Sequence, residues 1–223
     1  FEGYFEGFHG ISGDRLTYIP QFSTDGAEPV LEPHDGVNFF FLGNMGTVQC
    51  VPFLLEAFKR AYEAEPGLGM RLHFVGDGVA QDAAKGFVRE NNLGDVVLFH
   101  GRHPVAEMPR FYAQADACVM ALDDSTLIGS TIPSKLQGYM AAGKPVVAAV
   151  RGGARFVMGE AECGYAVDPG DVEGFAGALV ELARATRLRE ELGAKGRAYF
   201  EKHFTKEAFL DAVERELASI TKG

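Results

Sequence analysis

Val37-Asn38-Phe39-Phe40-Phe41-Leu42-Gly43-Asn44-Met45-Gly46 leads into a segment in which Val51, Leu54, Leu55, Phe58, Ala61 and Tyr62 recur. The run from Val37 to Phe41 has the near-continuous apolar pattern of a strand covered on both faces of a parallel sheet. Gly43 to Gly46 read as a tight turn, and the spacing after it predicts a helix from about Thr47 to Glu65 with its apolar stripe on the sheet. This is a strand, a glycine loop and a helix in succession.

The same unit recurs along the chain. Arg71 to Val75 reads as a strand ending at Gly76-Asp77-Gly78, with a helix near Ala80 to Glu90. Val96 to Phe99 reads as a strand ending at His100-Gly101-Arg102, with a helix near Glu107 to Gln114. Ala117 to Leu122, Val146 to Val150 and Gly164 to Val167 complete about six strands. Strands alternating with helices predict a doubly wound, Rossmann-like parallel α/β sheet, whose ligands bind beyond the carboxyl ends of the strands. Asp171 is a plausible N-cap, and the stripes Val172, Phe175, Ala176, Leu179, Leu182 and Phe209, Val213, Leu217, Ile220 read as packing. Before Val37, the apolar Leu16 to Pro20 reads as one strand followed by a polar linker, which sets residues 1–36 apart from a main domain at 37–223.

Thr131-Ile132-Pro133-Ser134-Lys135 opens a short helix, which Gly143 and Pro145 close. Pro133 suits a first helical turn because its missing N–H would be unpaired there anyway. The free amides and positive dipole end of such a helix favour an anion, and Ser134 and Lys135 add a hydroxyl and an ammonium. The competing reading, a plain helix start with Lys135 in water, has equal standing on this stretch alone.

The chain has 223 residues, 47% of them hydrophobic, with 21 basic and 31 acidic side chains for a net charge of −10. That length supports a full core, and the acidic balance, without a dense basic run, argues against a nucleic-acid partner. Cys50, Cys118 and Cys163 are odd in number and lack metal-ligand spacing, so a reducing cytoplasm is the expected setting, with no metal and no cofactor. No apolar run approaches the roughly 18 residues that span a bilayer. The first residue is Phe1, and with so short an opening segment the chain reads as a piece of a longer protein.

The loops at the strand ends hold the remaining candidates. Gly43 and Gly46 could let a backbone approach phosphate, or form a turn only; neither a Walker loop nor the full dinucleotide fingerprint is present. Asp77 between two glycines reads first as a turn residue. Arg102 and His103 could clamp phosphate and border a base, or be a solvated pair. His73 and His100 alternate with apolar residues and read as packed. No nucleophilic triad or metal constellation has recognisable spacing.

Tyr18-Ile19-Pro20, Phe41-Leu42-Gly43-Asn44-Met45-Gly46, Phe74-Val75-Gly76-Asp77-Gly78, Val97-Leu98-Phe99-His100-Gly101-Arg102, Ala115-Asp116 and Tyr139-Met140-Ala141-Ala142-Gly143-Lys144-Pro145-Val146 occur in this order. Over nearly the whole chain they resemble the C-terminal half of family 4 glycosyltransferases of the GT-B fold, retaining enzymes that use nucleotide sugars. Thr131-Ile132-Pro133-Ser134-Lys135 further resembles the N-acetyl-L-fucosamine transferase subgroup of O-antigen and capsule assembly. The resemblance implies sugar transfer from a nucleotide diphosphate sugar, uridine-linked, to a glycan or lipid-linked acceptor. Acceptor and membrane contact would come through the other half, at the inner face of the membrane.

It further implies a donor site at Gly43, Asn44, Gly46, Gln49, Gly76, Asp77, Arg102, His103, Ser130, Thr131, Ser134 and Lys135, with Lys135 the candidate catalytic group. The chain departs from the family at four places. Asn44 and Gln49 stand where many members carry an arginine and a lysine on the diphosphate, and Ser130 and Gly138 stand where the paired glutamates fall. Lys135 is the candidate replacement cation, and Gln137 or Asp123 and Asp124 are candidates for the sugar or ribose. Two other readings stay open: a binding module without catalysis, and a GT-B epimerase of uridine diphosphate amino sugars.

Overall fold

The computed structural model describes residues 2–23, 29, 32–125 and 131–221. Six strands, β1 (Val37–Leu42), β2 (Met70–Val75), β3 (Val97–Gly101), β4 (Ala117–Ala121), β5 (Val146–Ala149) and β6 (Gly164–Val167), form one sheet in the order β3-β2-β1-β4-β5-β6. Every pairing is parallel. The strand order reverses between β1 and β4, so their carboxyl ends border the crevice where doubly wound sheets take ligands. The expected fold class is the observed one.

Alternation along β1 explains why both faces are covered. Phe39 and Phe41 point into a core shared with α2 (Val51–Ala64), α3 (Gln81–Glu90) and α7 (Val172–Arg184). Phe40 and Leu42 point into the opposite core, built with α4 (Met108–Tyr112), α5 (Ser134–Ala141), α6 (Gly152–Ala161) and α8 (Thr186–His203). Side chains of period two therefore find apolar partners on either side.

The helix after β1 starts later than expected. A 3₁₀ turn covers Thr47–Gln49, Cys50 takes a left-handed conformation at φ 44°, and only then does α2 begin. Pro133 likewise sits one place outside its helix, as the extended N-cap of α5, with Ser134 the first helical residue. Asp171 caps α7 as expected, its carboxylate accepting the Gly174 N–H at 2.9 Å.

Three segments correct the sequence reading. Leu16 to Pro20 is not a strand: residues 2–9 form a helix, α1 (Glu2–His9), and Tyr18 is 68% exposed. The segment pairs with neither edge of the sheet and lies instead against the C-terminal helices, where Thr17 Oγ1 donates to Glu216 Oε2 at 3.1 Å and, just beyond it, Ser23 N–H to Phe204 O at 3.0 Å. Second, α6 and α8 have no counterpart among the expected elements. The Gly152-Gly153 start of α6 resembles a turn, and α8 buries Arg189, Gly193, Gly196 and Phe200 rather than an apolar stripe. Third, the stripe of α9 (Lys206–Thr221) is only partly packed: Phe209 meets Phe22 with ring centroids 5.3 Å apart, but Leu217 is 58% exposed.

Tyr139 fixes α5 to the centre of the sheet. Its ring is fully buried, and its hydroxyl oxygen accepts the Leu42 N–H at 3.0 Å at the end of β1. The hydroxyl proton faces Leu42 O at 3.3 Å and Val119 O at 3.4 Å. The buried hydroxyl thus ties α5 by hydrogen bonds to the two strands flanking the crevice.

Candidate nucleotide-binding cleft

The loops after β1, β2 and β3 are laced together by backbone. Gly43 N–H donates to Val75 O at 2.9 Å, Gly76 N–H to Gly101 O at 2.7 Å, and Met45 N–H to Asp77 O at 2.7 Å. Gly76 has φ 140°, and a Cβ there would lie 2.0 Å from Gly43 O. No side chain can replace this hydrogen without moving the neighbouring loop. The Met45 bond to the Asp77 carbonyl agrees with a turn role for that stretch, although the Asp77 side chain is exposed.

Between these loops is a cleft of about 410 Å³ lined by Gly43, Asn44, Gly76, Asp77, Arg102 and His103, with Val75, Val105 and Met108 as an apolar wall. Six expected site residues from three separate loops therefore meet in one place. The apolar wall had no signal of its own in the sequence. Arg102 is exposed at the rim. His103 is held by its own loop: its Nε2–H donates to His100 O at 3.0 Å, and Nδ1 lies 2.9 Å from Arg110 Nη2 and 3.1 Å from Glu107 Oε2. Its ring, 4.9 Å from that of Phe111, is thereby fixed as part of the cleft border.

On the other side of Gly43 stands Lys135, in the first turn of α5. Its side chain is only half-buried as a whole, but the ammonium end is enclosed. Nζ lies 4.0 Å from the centroid of the buried Phe41 ring and donates to Gln49 Oε1. A Cβ on Gly43 would be 3.5 Å from Nζ. Desolvation by burial pulls the lysine pKa down to about 7. The sequence could place Gly43, Gln49 and Lys135 on facing loops, but not show that lysine and glutamine bond one another.

Ser134 is exposed at the start of α5 and Thr131 is half-buried just before it; Ser130 lies outside the described residues. Gly46 and Asn44 belong to one tight turn, since a Cβ on Gly46 would be 2.9 Å from Asn44 Nδ2. The three candidates for replacing the absent glutamates are engaged elsewhere. Gln137 is buried and its Nε2 donates to Gln21 O at 2.7 Å. Asp123 accepts from Ser125 N at 2.9 Å and Ser125 Oγ at 2.7 Å, bonds that hold its carboxyl below the usual range. Asp124 pairs with Arg151 at 3.1 Å.

His73 and His100 are packed, as expected. Asn38 donates its amide to Gln114 O at 3.2 Å, leaving its carbonyl to accept from His73 Nε2 at 3.3 Å; His73 Nδ1 then accepts from His100 Nε2 at 3.0 Å. The His73 ring stacks on Phe40 with centroids 4.3 Å apart. Burial, followed by the neighbouring His100, lowers the His73 pKa to about 4. Cys50 is unsuited to act as a thiolate, since burial and then Asp123 and Asp124 push its pKa up. Among the described residues no group of three metal-ligating side chains occurs, and no helix is long and apolar enough to cross a membrane.

The architecture is thus that of a doubly wound domain with a cleft beyond the carboxyl ends of β1, β2 and β3, to one side of the topological switch point. Residues 36–185 match the family described as "Glycosyl transferases group 1", and the chain belongs to that family. Among relatives, the probable glycosyltransferase WbjE of Pseudomonas aeruginosa is 27% identical over 82% of this chain and 45% of its own length. The lipopolysaccharide core biosynthesis glycosyltransferase LpsE of Rhizobium meliloti is 32% identical over 74% of this chain and 46% of its own. The chain therefore spans about half the length of the curated relatives it matches. Among solved structures, Anabaena Alr3699/HepE in complex with UDP superposes with a TM-score of 0.71, at 19% identity, over 83% of this chain and 49% of that one.

Proposed function

We propose that this chain is the donor-binding half of a retaining glycosyltransferase that transfers a sugar from a uridine diphosphate sugar to a glycan or lipid-linked acceptor in cell-surface polysaccharide synthesis. In this reading residues 1–36 lead from the acceptor-binding half, and residues 37–223 hold the donor. The observation that carries the proposal is the convergence of Gly43, Asn44, Gly76, Asp77, Arg102 and His103 around one cleft, with Lys135 beside Gly43. Family membership, the UDP held by Alr3699/HepE and the lipopolysaccharide role in the name of LpsE support it.

The chemistry follows from charge. As the bond from sugar to diphosphate breaks, negative charge grows on the leaving oxygens, and a cation with aligned amides stabilises that growth most where water is excluded. Lys135 and the amino end of α5 supply both. Asn44 and Gln49 contribute hydrogen bonds without charge, so the site relies on one enclosed cation. The base would sit against Arg102 and the fixed ring of His103.

Titration of the chain with uridine, guanosine and adenosine diphosphates by calorimetry tests the reading. Uridine diphosphate should bind most tightly, and Lys135→Ala should weaken it about tenfold, the loss of one charge-assisted contact. Equal or absent binding of all three nucleotides would refute it. The absence of a carboxylate at Gly138, which is buried within α5, favours one second reading, a module that binds sugar nucleotide without transferring it. Joined to its other half, such a module would bind uridine diphosphate sugar and form no glycoside.

A further inference from the structure

Lys135 is held in surroundings that suit an amine better than an ammonium. Its nitrogen sits over the Phe41 ring and gives its hydrogen bond to Gln49 Oε1, a neutral acceptor. A ring face and an amide oxygen offset only part of the cost of taking an ammonium out of water. No carboxylate pairs with it among the described residues.

Resting on the donor-site reading above, we propose that Lys135 takes up a proton from solvent as the diphosphate enters, so that donor binding is coupled to protonation of this one side chain. The groups around it leave that role to the ligand. On the turn before α2, Cys50 stays a neutral thiol because burial raises its pKa. At the end of β4, Asp123 is bonded to Ser125 and Asp124 to Arg151. Across Gly43, Asp77, Arg102 and His103 line the cleft without bonding to Lys135. The diphosphate is then the counter-charge that Lys135 lacks among the described residues.

The departure at position 49 makes this possible. A lysine there would put a second positive charge beside Lys135, and like charges would disfavour protonation of both. Glutamine instead turns a carbonyl oxygen toward the nitrogen and holds it beside Gly43 in either protonation state. With burial drawing its pKa to about 7, Lys135 is largely an amine at pH 8 in the free protein. Phosphate charge nearby restores the ammonium.

Calorimetric titration of uridine diphosphate into the chain at pH 8, in buffers of differing ionisation enthalpy, counts the protons exchanged. Uptake should approach about one proton per nucleotide at pH 8 and fall toward zero at pH 6, and the dissociation constant should rise up to about tenfold per pH unit above pH 7. The last phosphate ionisation lies near pH 6, outside that upper window. Uptake should vanish in whichever of Lys135→Arg and Lys135→Met retains measurable binding, since neither side chain titrates there. Binding by the parent without proton uptake at pH 8, or uptake that persists in either variant, overturns the proposal while leaving the donor reading intact. Failure of the parent to bind uridine diphosphate overturns both.

Discussion

At the residue scale, the buried side chains of His73 and Tyr139 each bond to neighbouring strands of the sheet. His73 is neutral in the fold because burial and the adjacent His100 lower its pKa to about 4, whereas an unfolded chain protonates it near 6.5. Stability contributed by the neutral form is therefore complete above about pH 6.5 and is lost as the pH falls toward 4, by about 3 kcal/mol for this residue alone. Urea denaturation at pH 7 and pH 4.5 should show the loss, and His73→Leu should flatten the slope. Tyr139→Phe removes the acceptor of the buried Leu42 N–H and should cost about 1–3 kcal/mol in the same assay. Individual residues were the least legible level of the sequence. Gly43, Gly76, Arg102 and His103 could be placed on strand ends by pattern. The bond between Lys135 and Gln49, by contrast, spans 86 positions along the chain and depends on how α5 meets the loop after β1. The bond from the Gln137 amide to Gln21 O is of the same kind, spanning 116 positions.

At the element scale, close backbone approach is the recurring device. In α8, a Cβ on Gly193 would lie 2.1 Å from Gly143 O at the end of α5, so Gly193→Ala must push the two helices apart. The expected cost is about 1–3 kcal/mol, read as a lower denaturation midpoint with an unchanged slope. Gly76→Ala meets Gly43 O and also needs φ 140°, so it should cost more than Gly193→Ala and weaken nucleotide binding as well, because it separates the loops that border the cleft. This explains which elements could be read in advance. Strands buried on both faces, such as β1, announce themselves by apolar runs. The glycines of α8 are invisible to a search for apolar periodicity although they mark its most intimate contact. Leu16 to Pro20 shows the reverse error: an apolar run that looked like a strand pairs with no strand and is partly exposed beside α9.

At the scale of the whole molecule, strand order brings the working parts together. The reversal between β1 and β4 leaves a gap at their carboxyl ends, and the loop after β1 and the start of α5 both open onto it. Doubly wound architecture was legible because six apolar runs alternate with amphipathic or glycine-ended segments, and it is this regularity that located the cleft. In the proposed function the donor diphosphate rests between Gly43 and Lys135. A crystal structure of the chain with uridine diphosphate tests it most directly. Phosphate oxygens are expected within hydrogen-bond distance of Lys135 Nζ, with the uracil against His103 and Arg102. Nucleotide bound elsewhere, for instance in the groove between Tyr18 and α9, with the Lys135 to Gln49 bond undisturbed, would contradict it.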